Sequence, residues 1–122
     1  TPAVQVYYAF DEALNELMEE GVAKRMQRYK KVATLIRDRM ATLGVKPLLT
    51  PEKFSNTITA FYLPDGVTYQ SLHDRLKHEG YVIYAGQGQL QSKIFRVANM
   101  GALTEAQLVG FLDAFERICS AA

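Results

Sequence analysis

The 122 residues predict one α+β domain: two leading helices, then a small, mostly antiparallel sheet with helices packed on one face. Three observations carry this. Apolar residues recur at helical spacing over several long stretches, β-branched and aromatic runs alternate irregularly with them, and glycine or proline punctuates the junctions. With 48% hydrophobic and 22% charged residues, the chain suits one globular core spanning residues 1–122 rather than a disordered polymer.

Thr1-Pro2 reads as a helix N-cap followed by proline at the first helical position, where a missing amide hydrogen costs nothing. Val6, Phe10, Leu14, Leu17 and Met18 follow at helical spacing, with Asp11, Glu12, Glu16, Glu19 and Glu20 mostly opposite; Gly21 should end or kink this helix. From residue 22 to residue 43, Val22, Met26, Tyr29, Ala33, Ile36, Met40 and Leu43 form a stripe along a second helix. Gly44 supplies its left-handed stop and Pro47 prevents resumption. Its other face carries Lys24, Arg25, Arg28, Lys30, Lys31, Arg37 and Arg39. A solvated face is the better reading than a phosphate grip, because overall charge balances and aromatics are not interleaved.

Residues 46–49 form a short candidate strand before a Thr50-Pro51-Glu52 turn. Residues 56–63 are β-branched and aromatic and end at Pro64-Asp65-Gly66, which reads as a strand. Thr68 caps a helix with Tyr69, Leu72 and Leu76 on one face and Gly80 as its stop. Two strands follow, residues 81–84 and 94–98, joined by a glycine-bearing loop and closed by a turn at Met100-Gly101. Thr104-Glu105-Ala106-Gln107 has the form of a capping box, and Leu108, Phe111, Leu112, Phe115 and Ile118 give the last helix its buried stripe. Residues 120–122 are expected to fray.

Composition narrows function mainly by exclusion. A net charge of +1 speaks against a dedicated nucleic-acid binder or a polybasic membrane anchor. Cys119 is the only cysteine, so no internal disulfide forms, as in a reducing compartment. Without an apolar run near 18 residues or a secretion signal, the expectation is a cytoplasmic protein. The opening Thr1-Pro2-Ala3, with no methionine, suggests a piece of something longer.

Most candidate sites fail on spacing. The loop Ala85-Gly86-Gln87-Gly88 would need a helix after it to cradle phosphate, whereas a strand follows. His73 and His78 are five apart, not four, and no cysteine or carboxylate completes a ligand set, so no metal site is assigned. Cys119 ends an apolar stripe and reads as an inert buried thiol. Arg96 is different. In Ile94-Phe95-Arg96-Val97-Ala98 it lies on the face opposite Phe95 and Val97, a face no helix obviously covers. Burying a guanidinium unpaired costs several kcal/mol, so it must meet a partner. Pattern alone leaves two readings open: an internal salt bridge, which it favours, or bidentate capture of a ligand carboxylate.

Gly80-Tyr81-Val82-Ile83-Tyr84-Ala85-Gly86, then Phe95-Arg96-Val97-Ala98-Asn99-Met100-Gly101, then a capped final helix, together resemble the C-terminal segment of class V (fold type I) pyridoxal-phosphate aminotransferases. The likeness is nearest to 2-aminoethylphosphonate:pyruvate aminotransferases, with alanine:glyoxylate aminotransferases beside them, and extends over essentially the whole chain. It implies that Arg96 pairs with the carboxylate of a keto acid or amino acid such as pyruvate or alanine. It implies too that Thr1 reaches the pyridoxal 5'-phosphate phosphate of a neighbouring subunit in a homodimer. The family's Schiff-base lysine belongs to a large domain, and none of Lys24, Lys30, Lys31, Lys46, Lys53, Lys77 or Lys93 stands in a matching setting. The chain is then expected to be a small domain, inactive and without cofactor by itself, and to lack catalytic residues of its own. The competing reading is a stand-alone α+β ligand-binding or regulatory module that uses its open sheet face. An RNA-binding sheet would want exposed aromatics on its central strands, and Phe95 points the wrong way.

Overall fold

The computed structural model describes residues 1–120. In order it contains α1 (Val4–Glu20), α2 (Val22–Thr42), β1 (Ile58–Tyr62), α3 (Tyr69–His78), β2 (Tyr84–Ala85), β3 (Ile94–Ala98) and α4 (Glu105–Ser120). The sheet order is β1-β3-β2, antiparallel throughout, which makes the arginine strand the central one. The α+β expectation therefore holds, with helices on one face.

Period-2 geometry sorts the central strand as expected. Phe95 and Val97 enter the core with Phe61, Leu72, Leu76, Phe111 and Phe115, while Arg96 turns to the other face and stays half-buried. Phe95 stacks between Phe61 and Phe115, with ring centroids 5.6 and 5.5 Å away, so one aromatic column ties β1, β3 and α4. Ala33, Ile36 and Met40 bring the second half of α2 onto the same core.

Helix ends follow local chemistry. Thr68 Oγ1 accepts from the Ser71 amide, and Thr104 and Gln107 form the reciprocal box: Thr104 N donates to Gln107 Oε1 (2.9 Å) and Gln107 N to Thr104 Oγ1 (3.2 Å). At Gly44, with φ of +76°, α2 closes in a Schellman motif, the Gly44 amide on the Ala41 carbonyl and the Val45 amide on that of Met40.

Four expectations need correction. Residues 46–49 form no strand: Pro47 makes an isolated bridge to Phe61, and two bonds, Leu48 N to the Ala60 carbonyl and Tyr62 N to the Lys46 carbonyl, are all that tie this segment to β1. Proline has no amide hydrogen to extend the ladder. The strand expected at residues 81–84 begins only at Tyr84, because the Tyr81 amide still caps α3 on the Leu76 carbonyl. Thr1 caps nothing; α1 starts at Val4 with Ala3 as its N-cap, and Pro2 falls outside the helix. The α1 stripe is not buried either: Val6, Phe10, Leu14 and Met18 are exposed, as are Val22 and Met26 in the first turns of α2. The α2 basic face does face solvent as expected, with none of its cations buried, while Arg25 and Arg28 also grip Glu20 and Arg39 reaches Glu116. Ser120 continues α4, and the rest of the expected fraying lies outside the described residues.

Candidate functional site

Arg96 stands at the middle of the uncovered sheet face. Its register partners are Ala60 on β1 and Tyr84 on β2, so a small residue lies on one side and an exposed tyrosine on the other. The guanidinium Nε donates to the Ala85 carbonyl at 2.9 Å. That bond occupies Nε, and among the described residues neither terminal nitrogen has a hydrogen-bond partner. Among the described residues no carboxylate pairs with Arg96, whereas Arg25, Arg28, Arg39 and Arg117 each have an acidic partner. The internal salt bridge that the sequence pattern favoured is absent among these residues.

Arg96 lines a cavity of about 240 Å³ with Leu49, Lys53, Phe54, Ile58 and Ala60, edged by Ser55 and Thr59. The charged groups in this lining are both cations. Arg37 braces the far wall: its guanidinium lies 4.6 Å from the Phe54 ring centroid and donates to the Ser55 carbonyl (3.1 Å) and Thr59 Oγ1 (3.2 Å). Burial of Arg37 lowers its pKa, yet a guanidinium stays charged across the working range. An apolar-walled cleft carrying only positive charge is suited to an anion, because low local dielectric strengthens each contact.

The other expected sites are placed as follows. Thr1 is exposed ahead of α1, a helix roughly 25 Å long, and no hydrogen bond or cavity joins it to Arg96 among the described residues. In the loop after β2, Gly88 does adopt positive φ (+54°), but Gly86 is buried for another reason: a Cβ there would meet the Leu90 carbonyl oxygen at 2.3 Å. The Gly86 amide donates to the Ile94 carbonyl at 3.2 Å, which ties the start of the loop to β3. Cys119 is half-buried, and desolvation raises its thiol pKa, which makes it a poor nucleophile. Nothing in the sequence marks Lys53, Tyr84 and Ala85 as neighbours of Arg96. Their signal lies in strand register and in a segment folded back from 43 positions away, which no local spacing records.

No protein-family model matches the sequence. The chain is 38% identical over 119 residues to a 2-aminoethylphosphonate–pyruvate transaminase from Klebsiella pneumoniae, covering 95% of this chain and 32% of the relative. Among solved structures, the alanine–glyoxylate aminotransferase of a Nostoc species superposes with a TM-score of 0.91 at 29% identity over 98% of this chain and 32% of that one. The pyridoxamine–pyruvate aminotransferase of Mesorhizobium loti gives 0.90 at 26% identity over 99% of this chain and 32% of that one. The chain thus spans about a third of the length of the curated relatives it matches. In sequence and in fold it matches the C-terminal part of the class V aminotransferases.

Proposed function

We propose that this chain is the small, C-terminal domain of a pyridoxal-phosphate aminotransferase that moves an amino group from 2-aminoethylphosphonate, or a similar amine, to pyruvate. The observation that carries the proposal is Arg96, a half-buried cation on an open sheet face with its fork free and no acidic partner among the described residues. The likeness to 2-aminoethylphosphonate–pyruvate transaminases supports the choice of substrates.

In that role the chain orients rather than reacts. Two parallel N–H bonds from Arg96 hold the substrate carboxylate, and the Nε bond to Ala85 keeps the fork from rotating, so the Cα of the acid is presented in one direction. Pyridoxal phosphate, when bound, supplies the electron sink for transamination. The cavity beside Arg96 is not itself a cradle for that group: its lining has no carboxylate for the pyridine nitrogen. Those contacts are assigned to a large domain of the same protein, and Thr1 to the cofactor phosphate of a neighbouring subunit in a homodimer. Among the described residues no helix is long and apolar enough to cross a membrane.

The test is steady-state kinetics of Arg96→Lys and Arg96→Ala in the full-length protein. Both are expected to raise the KM for pyruvate and alanine by roughly 10- to 100-fold, the loss of a bidentate charge-assisted pair, with the thermal midpoint nearly unchanged. Normal pyruvate kinetics in either variant would overturn the assignment.

A further inference from the structure

We infer that Lys53 is the second cation of this site and sets its preference for a doubly charged phosphonate over a carboxylate; this rests on the proposed function. A transaminase of that kind must hold two different anions at one place in its two half-reactions. A carboxylate carries one negative charge and is matched by Arg96 alone, whereas a phosphonate dianion has a second charge and a third oxygen.

The cavity offers one further charge. Lys53 lines it together with Arg96, on the short turn Pro51–Lys53, and no acidic side chain is among the lining residues. Glu52, its neighbour in the chain, is engaged by the Thr50 hydroxyl, which lowers its carboxyl pKa. The hydroxyls at the rim, Ser55 Oγ accepting from the Thr57 amide at 3.1 Å and Thr59 Oγ1 accepting from Arg37, are neutral and add no charge. Extra anionic charge therefore falls to the Lys53 ammonium. Lysine suits the task, being a compact point charge on a flexible stem that can close on a dianion and withdraw from a monoanion. Arg37 ties Phe54 and Ser55, which follow this turn, to Thr59 on β1, and both cations line the one cleft.

The experiment compares calorimetric affinities of the cofactor-loaded, full-length protein for ethylphosphonate and propionate, two probes that differ only in the acid group. Lys53→Ala is expected to lower the ratio of phosphonate to carboxylate affinity roughly fivefold, the size of one partly exposed ion pair, and Lys53→Arg to restore most of it. Lys53 is exposed, so folding is unaffected and is checked by an unchanged thermal midpoint. An unchanged ratio, or equal weakening of both probes, overturns the inference. Arg96→Lys separates the two levels: if it leaves both probes bound normally, the proposed function fails, and if it weakens both while Lys53→Ala leaves the ratio unmoved, only the role of Lys53 fails.

Discussion

The Arg96 guanidinium Nε donates to the Ala85 carbonyl across the β2–β3 pair at 2.9 Å, so the aim of the cation depends on the backbone of a two-residue strand. Ala85 is followed by Gly86, whose amide donates to the Ile94 carbonyl at 3.2 Å and whose missing side chain lets Leu90 and Ile94 close in.

Gly86→Ala should therefore disturb the site without touching it. The new methyl would lie 2.3 Å from the Leu90 carbonyl oxygen and 2.7 Å from Ile94 Cγ1, and backbone cannot swing aside as a side chain does. Overpacking of this kind costs about 1–3 kcal/mol, read as a lower urea midpoint, and should raise the pyruvate KM along with it. A variant of full stability and normal KM would show that the loop does not support Arg96.

Phe95 separates fold from function on adjacent residues. Truncation to alanine removes the middle ring of the Phe61–Phe95–Phe115 column, at a cost of about 3–5 kcal/mol in equilibrium unfolding, whereas Arg96→Ala on the opposite face should cost under about 1 kcal/mol. Comparable losses for the two would contradict the assignment of faces.

Glu20 gives a prediction in pH. Hydrogen bonds from Arg28 and then Arg25 hold its carboxyl down to about 2 from the ordinary 4.5, and Arg28 also donates to the Gly101 carbonyl at 2.7 Å, so this knot joins the α1–α2 junction to the turn after β3. A depressed folded-state pKa contributes stability that is complete above pH 4.5 and is lost as pH falls toward 2. The thermal midpoint of the native protein should exceed that of Glu20→Gln near neutrality, and the gap should close over that window. A gap independent of pH would assign the effect to packing.

Much of this was legible in the chain. Arg96 could be assigned to the open face because strand alternation is a local rule, and the cap at Thr68 and the box at Thr104 because their donors and acceptors lie within three residues. Residues 46–49 misled for a physical reason: apolar composition suggests a strand, but Pro47 withholds the donor a ladder needs. The stripe on α1 was correctly periodic, yet periodicity reports that a face is apolar and says nothing of what covers it; in the described residues nothing in α1 is buried.

By itself, the sequence determined the α+β class, the helix caps at Thr68 and Thr104 and the face on which Arg96 would emerge, since these follow from local pattern and from contacts within a few residues. Only the tertiary structure decided what surrounds that arginine. The carbonyl that aims it comes from 11 positions earlier and the cavity wall with Lys53 from 43 earlier, brought together because β3 is the central strand and burial of the Phe95 side forces the other side outward.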